Sequence, residues 1–309
     1  MIRTLALYLT IPPAWRPPLM IADGMGVDST AMLVELHRRG IRPDAVLHAD
    51  TGDEHPLTKA YREIRKAWLR EVGFPELTIV RRAPSKPGRR RKDGSKSVSY
   101  ATLGENCIAN HTLPSLAFGF KACSVKWKIE PQNTWTKRWA PAIRAWARGQ
   151  KVVKLIGYDA GPKDSRRAHE LGNDDRYTYL YPLREWEWDR ERCVAEIERA
   201  GVPVPRKSAC VFCPASKPHE IAEIVRDYPE IADYICKLED TAKPYLTSTE
   251  GLWRATVKGI RKGTIAKPGS MADFIRSLRE DPALLARHLP VTPEPRPIKL
   301  RRRIPLGKI

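Results

Sequence analysis

Short apolar runs alternate with amphipathic stretches along the first two-thirds of the chain, a pattern typical of strands followed by helices. The first run, Leu19–Ala22, contains no polar residue, and a glycine-bearing turn and a helical pattern ending at Gly40 follow it. The same order recurs downstream, with strands predicted at 44–52, 77–80, 151–157 and 176–183 and helices at 56–72 and 189–200. Such alternation favours a parallel sheet covered by helices.

The predicted fold class is therefore α/β, with a doubly wound, mostly parallel sheet. Beyond residue 217 the strand pattern stops, and helices are predicted at 220–227, 230–238 and 271–278. We expect an α/β domain that includes the cysteine cluster, a smaller C-terminal helical region and a basic tail, at 1–217, 218–295 and 296–309. Ligands of such sheets bind at the carboxyl ends of strands, so the turns at 24–27 and 50–53 are expected to face one site.

The charge of the chain indicates what kind of partner it binds, and its apolar segments indicate where in the cell it is expected. The chain has 309 residues, 42% of them hydrophobic, and its 55 Lys and Arg against 36 Asp and Glu give a net charge of +19. This charge indicates a polyanionic partner, either nucleic acid or a phosphorylated small molecule. No apolar run approaches a membrane span, and Pro12 and Pro13 interrupt the apolar stretch near the N-terminus, unlike a signal peptide. We expect a cytoplasmic protein with no membrane partner.

Two segments concentrate positive charge. Arg81–Lys96 carries eight basic residues against one aspartate, and the tail Arg296–Lys308 is basic and interrupted by prolines. Both are predicted to attract nucleic-acid phosphates, with a solvated surface as the alternative. Tryptophans also interleave with basic residues at Trp127, Trp135, Trp139 and Trp146. Their helical spacing favours a stripe facing the core over a base-stacking platform.

The turn after the first strand has the chemistry of an anion site. Its glycines allow close backbone approach, and the helix that follows offers amide groups and a favourable dipole. The glycine spacing fits neither a Walker A loop nor a dinucleotide-binding fingerprint. The alternative is an ordinary strand-to-helix turn capped by Asp28 or Ser29.

The segment Gly24–Ser29 resembles the PP-loop, Ser-Gly-Gly-x-Asp-Ser, of the ATP pyrophosphatase and phosphoadenosine phosphosulfate (sulfonucleotide) reductase superfamily. The match holds at Gly26, Asp28 and Ser29 and departs at Gly24 and Met25. Asp50-Thr51-Gly52, placed after the second strand, resembles a turn that sulfonucleotide reductases carry near the nucleotide. A carboxylate there is expected to accept from ribose hydroxyls or to hold a divalent ion.

The resemblance implies the residues of a nucleotide site. After the fourth strand, Lys163, Arg166 and Arg167 are expected to clamp phosphates, because guanidinium groups match phosphate oxygens. The cofactor-binding set is Gly24, Met25, Gly26, Val27, Asp28, Ser29, Asp50, Thr51, Gly52 and Arg166. The catalytic set is Asp28, Ser29, Lys126 and Arg167. The expected cofactors are ATP or a related adenine nucleotide, and Mg²⁺.

The cysteines predict a metal site. Cys210-Val211-Phe212-Cys213 is a C-x2-C knuckle, which offers two thiolates from one turn. The segment around Cys123 resembles the one after the double cysteine of assimilatory adenylylsulfate reductases, whose cysteines bind a 4Fe–4S cluster. Ala122 stands where the first of those two cysteines would be, so Cys193 is expected as the fourth ligand, with Cys107 as second choice. Zinc is the alternative metal, since thiolates suit either.

Three functions are compatible with these features. The first is a PP-loop enzyme that adenylates a substrate for sulfur transfer or nucleic-acid modification, as in the DNA phosphorothioation branch, with a sulfur-donor protein as a possible partner. The second is a sulfonucleotide reductase, although the last seventy residues contain no cysteine to act as its nucleophile. The third is a non-enzymatic nucleic-acid-binding protein with a structural zinc site.

Overall fold

The structure of the protein is a computed structural model that describes residues 3–88, 94, 96–120, 122–162, 174–253 and 269–290. Its centre is a five-stranded sheet in which every pairing is parallel, in the order β3-β2-β1-β4-β5. The strands are Leu19–Ala22 (β1), Ala45–Asp50 (β2), Leu77–Arg81 (β3), Val152–Ile156 (β4) and Tyr177–Leu180 (β5). The predicted parallel α/β sheet is confirmed.

Helices surround the sheet and form a second layer towards the C-terminus. The α-helices of the described residues are Leu5–Leu9, Val27–Arg38, Pro56–Glu71, Leu103–Ala109, Ala122–Ser124, Glu130–Thr136, Ala140–Ala147, Pro182–Glu185, Arg190–Arg199, Pro218–Asp227, Pro229–Ala242, Met271–Glu280 and Pro282–His288. Short 3-10 turns lie at Pro13–Trp15, Ser115–Phe118 and Lys243–Tyr245, and a π-helix at Val125–Ile129. Within the described ranges, no helix has both the length and the apolar character needed to traverse a bilayer.

The sheet is covered on both faces. On one face, β-strand residues such as Ile21 and Leu155 pack with the helices Val27–Arg38, Pro56–Glu71 and Arg190–Arg199. On the other face, the partly buried tryptophans of the two helices between residues 130 and 147 pack against the strands. Strands buried on both faces appear as continuous apolar runs, which is why their positions were recognisable. The prediction that the tryptophan stripe faces the core is confirmed for Trp135, Trp139 and Trp146.

A separate hydrophobic cluster lies under the C-terminal helices. It joins Pro218–Asp227, Pro229–Ala242 and Met271–Glu280 to the earlier helix Leu103–Ala109, with Phe212 fully buried among them. Cys107, Cys123 and Cys210 also pack in this cluster. The C-terminal helices therefore support the cysteine-bearing segments from behind.

Candidate functional site

A cavity of about 570 Å³ opens at the carboxyl end of the sheet. It lies where β1 and β4 run side by side and the strand order diverges, with β2 beyond β1 and β5 beyond β4, the place where parallel sheets form a crevice. Its walls include the loop after β1, the loop after β4 and the segment around Cys210. The turns predicted to face one site, after β1 and β2, both contribute, through Gly24, Gly26 and Thr51.

A buried carboxylate shapes the loop after β1. Asp23 is 2% exposed, and its Oδ1 accepts hydrogen bonds from the Met25 amide and the Ser29 hydroxyl, each at 2.8 Å. Met25 adopts a left-handed backbone conformation with φ 56°, which costs a non-glycine residue about 1 kcal/mol. Its fully buried side chain and the Asp23 bonds hold it in that conformation. The loop is thus fixed before any ligand arrives.

Arg65 neutralises this carboxylate from the next helix. Its Nε lies 2.9 Å from the second Asp23 oxygen, and another guanidinium nitrogen donates to the Thr30 hydroxyl at 2.5 Å. The side chains of Asp23 and Arg65 are at most 1% exposed. Breaking such a buried pair is costly, so Arg65 ties the helix Pro56–Glu71 to the loop. The sequence analysis did not identify Asp23 or Arg65 as part of the site.

The helix that follows the loop presents its N-terminus to the cavity. Gly26 is its N-cap and makes no side-chain capping hydrogen bond, and the positive end of the helix dipole at this N-terminus favours an anionic ligand. Asp28 lines the cavity, and its Oδ1 accepts from Arg190 Nη1 at 2.7 Å. Ser29 also lines the cavity, with its hydroxyl oriented by Asp23.

Gly157, which follows β4, packs closely against the N-terminus of this helix. A Cβ at Gly157 would lie 2.8 Å from the Ser29 nitrogen and 3.0 Å from the Asp28 carbonyl carbon. Both are backbone atoms, so no side-chain rotation can relieve the contact. Only glycine permits this approach, which brings Tyr158 and Asp159 to the cavity wall.

The Asp50-Thr51-Gly52 turn contributes through its threonine. Asp50 is buried, and its carboxylate accepts from Arg62, from Arg81 at 2.6 Å and from the Gly52 amide at 2.8 Å. Burial opposes ionisation, but these donors, led by Arg62, hold the pKa of the carboxyl well below its usual range. The carboxylate that was expected to meet ribose or a divalent ion instead fixes the turn, and Thr51 lines the cavity.

Three of the four predicted metal ligands lie along the same cavity. Cys123, Cys210 and Cys213 all line it, and the Cys213 amide donates to the Cys210 carbonyl at 3.0 Å in a tight turn. Thr51 Oγ1 lies 3.1 Å from Cys210 Sγ, which joins the knuckle to the turn after β2. Burial raises the pKa of the Cys210 thiol to about 12 and also raises that of Cys213.

Cys193 lies apart from these three. It is fully buried on the helix Arg190–Arg199, in the cluster that covers one face of the sheet, whereas Cys123 and Cys210 pack in the cluster under the C-terminal helices. Cys107, the second choice, is buried in the same cluster as Cys123 and Cys210, close enough to both for their charges to affect its pKa. Among the described residues, no three His, Cys, Asp or Glu side chains are arranged to hold a metal ion. The metal site therefore stays a prediction.

Of the comparisons with known proteins, the one with solved structures gives matches. No family model matches the chain, and no curated protein matches it. The chain is similar to a solved PAPS reductase. That structure is a phosphoadenylyl-sulfate (PAPS) reductase from Candida auris in a phosphate complex, with 15% identity over 64% of this chain and 77% of the other, and a TM-score of 0.37.

The cationic residues at the cavity differ in part from those expected. Lys126 is exposed and does not line the cavity, whereas Lys128, on the same π-helix, does. Arg190 and Lys207 also line it, and neither stood out in the sequence because each lies among other charged residues. Lys163, Arg166 and Arg167 lie outside the described residues, as do the tail Arg296–Lys308 and part of Arg81–Lys96.

Proposed function

We propose that the protein is an enzyme that binds ATP, or a related adenine nucleotide, with Mg²⁺ in this cavity. It would adenylate a substrate for sulfur transfer or nucleic-acid modification. The observation that carries the proposal is that the loop Gly24–Ser29 and three cysteines line one cavity. A phosphate site and thiol groups within one enclosure suit a reaction in which nucleotide activation and sulfur chemistry occur on the same substrate.

The cavity has the size and charge that a nucleotide requires. Its volume of about 570 Å³ falls in the usual range for small-molecule sites. The helix N-terminus after Gly26 favours phosphate, and Lys128, Arg190 and Lys207 on the lining supply positive charge. Apolar lining from Ala22, Leu103 and other residues leaves room for a base.

The proposed chemistry is an in-line displacement at the α-phosphorus. A substrate oxygen forms a bond to that phosphorus, the bond to the bridging oxygen breaks, and pyrophosphate leaves with the electron pair. Mg²⁺, when bound, neutralises phosphate oxygens as this charge develops. The loop amides and Lys128 act by positioning and by charge stabilisation. In the second step a sulfide-level sulfur nucleophile from the donor forms a bond to the activated centre, the bond from that centre to the AMP-bearing oxygen breaks, and AMP departs with the original substrate oxygen.

Nucleotide turnover tests this function. We expect purified protein with Mg²⁺ and ATP to bind nucleotide and, with the acceptor, to release pyrophosphate. Asp28→Asn should lower turnover about a hundredfold, because the ion pair that orients Arg190 at the cavity wall is lost. Calorimetry measures binding, and a coupled assay with mixed DNA and RNA oligonucleotides measures pyrophosphate.

The matched control is Asp233→Asn. Asp233 forms a 2.7 Å ion pair with Arg279 on the C-terminal helices, like the 2.7 Å pair of Asp28 with Arg190. The Asp233→Asn variant should have unchanged turnover. Absence of ATP binding would contradict the proposal, and release of sulfite from a sulfonucleotide would replace it with the reductase function.

The metal prediction is tested by measuring the metal content of the purified protein rather than its activity. Protein purified without oxygen is expected to contain iron and to absorb as a 4Fe–4S protein, or else to contain zinc. Cys210→Ser should abolish the metal, because Cys210 shares the cavity wall with Cys123 and Cys213. Cys193→Ser should retain it and Cys107→Ser should lose it, since only Cys107 packs in the same cluster. Metal retained in Cys210→Ser would contradict the assignment.

The proposed acceptor is a nucleic acid. The net charge of +19 supports this choice, and the basic segments Arg81–Lys96 and Arg296–Lys308 would attract its phosphates. A sulfur-donor protein would then deliver sulfur to the activated position.

A further inference from the structure

An exposed aromatic side chain stands beside the cavity without a role in the proposed chemistry. Phe120 is 68% exposed. It lies on the segment that forms one cavity wall, between Leu116 and Cys123, both of which line the cavity. The Phe120 amide donates to the Ser115 carbonyl at 3.0 Å, and the Ser115 hydroxyl accepts from the Cys123 amide at 2.7 Å. These bonds hold Phe120 at the edge of the cavity wall.

The same wall is positively charged. From residue 112 to residue 129 the sequence contains three lysines and no acidic residue. Val125 is 45% exposed and Lys126 is exposed beside it, while Lys128 reaches the cavity. We call Phe120, Val125 and Lys126 the rim. An apolar ring and a cation at the mouth of an anion site suit a ligand that has both bases and phosphates.

Two further segments, residues 82–88 and 96–100, lie beside this wall, and we call them the arm. Segments 85–88 and 97–100 pair through backbone hydrogen bonds, including Ser85 N to Tyr100 O at 3.0 Å. Both ends of the arm rest on Trp127 of the π-helix, because the Arg82 guanidinium lies 5.2 Å from that ring and Tyr100 packs against it. Lys86 and Lys96, which belong to these segments, are exposed. The arm therefore contacts the same π-helix that carries Lys126 and adds exposed positive charge to this side of the protein.

We propose that the rim and the arm bind single-stranded nucleic acid and place an unpaired base on Phe120. Phosphates would follow Lys126 and the arm, and the base next to Phe120 would face the cavity. A duplex keeps its bases stacked inside and cannot offer one to an exposed ring, whereas every unpaired base can stack on it. This inference rests on the proposed function, whose substrate class it names as an unpaired nucleotide in a polymer.

The test measures binding of fluorescent oligonucleotides by anisotropy. Single-stranded DNA, single-stranded RNA and duplex DNA of one sequence are compared on the full-length protein. We expect both single strands to bind more tightly than the duplex, and the stronger of the two identifies the polymer. Phe120→Ala should weaken single-strand binding about tenfold, since stacking on an aromatic ring is lost. Lys126→Ala should reduce the salt dependence of binding.

Trp15→Ala is the matched control. Trp15 is 69% exposed, almost the same as Phe120, but precedes β1 and therefore lies at the opposite end of the sheet. The Trp15→Ala variant should bind single-stranded oligonucleotides as tightly as the wild-type protein does. Equal or tighter duplex binding, or a Phe120→Ala variant that binds normally, would overturn the inference. ATP binding by Phe120→Ala, measured alongside, should be unchanged, so a failure of the nucleotide proposal would be recognised separately.

Discussion

Arg65→Met is expected to destabilise the protein by about 3–5 kcal/mol and to abolish measurable nucleotide binding. The substitution leaves the Asp23 carboxylate buried without its counter-charge, at a position where both side chains are at most 1% exposed. Asp23 also accepts hydrogen bonds from the Met25 amide and the Ser29 hydroxyl, so its displacement would disorganise the Gly24–Ser29 loop. Urea unfolding gives the change in free energy, and calorimetry gives the affinity for ATP.

Lys66→Met on the same helix is the matched control. Lys66 forms a surface ion pair with Glu63, and its loss should change stability by less than about 0.5 kcal/mol. The double variant Asp23→Asn/Arg65→Met should be more stable than Arg65→Met alone, because it removes the unpaired charge. If the single variant were no less stable than Lys66→Met, the buried pair could not be what fixes the loop.

Gly157→Ala is expected to lower nucleotide affinity about a hundredfold while the sheet remains folded. Its Cβ would lie 2.8 Å from the Ser29 nitrogen, a contact that only a shift of the β4 loop or of the helix N-terminus can relieve. Either shift misaligns the amides that would meet phosphate. Calorimetric titration with ATP checks the affinity, and circular dichroism checks the fold.

Gly24→Ala is the control that shows how an added methyl group in the neighbouring loop affects stability. A Cβ there would find its nearest neighbour, the Ser29 hydroxyl, at 4.0 Å, so the melting temperature should not change. Wild-type affinity in Gly157→Ala would show that the close approach of the two loops does not determine the site.

The central strands were predictable because they are short, mostly apolar runs buried on both faces, whereas the edge strand β3 is only partly buried. The predicted run at 151–157 became Val152–Ile156, and the one at 44–52 became Ala45–Asp50. The strand order could not be derived in the same way. It depends on pairings such as Leu19 with Val153, between residues that local patterns do not connect.

The parts of the candidate site that lie within one short segment could be predicted from the sequence. The parts that depend on how distant segments pack together could not. The Gly24–Ser29 loop lies within one turn, so its spacing was informative. Arg65 lies on an amphipathic helix, where a basic residue is ordinarily exposed, and nothing in the sequence marks it as buried. Lys128 reaches the cavity and Lys126 does not, because residues two positions apart on a helix point in nearly opposite directions. Sequence separation likewise could not show which cluster Cys193 joins.

The sheet order has a consequence for synthesis of the protein on the ribosome. β1 emerges early but pairs with β4, more than a hundred residues later, and the Cys210 wall follows later still. Until then, the central strand lacks a neighbour on that side, and its apolar edge is exposed to other chains. No nascent chain that ends before Cys213 can contain the complete cavity. Ligand-dependent protection from proteolysis should therefore appear late and abruptly as the chain lengthens, rather than in gradual steps.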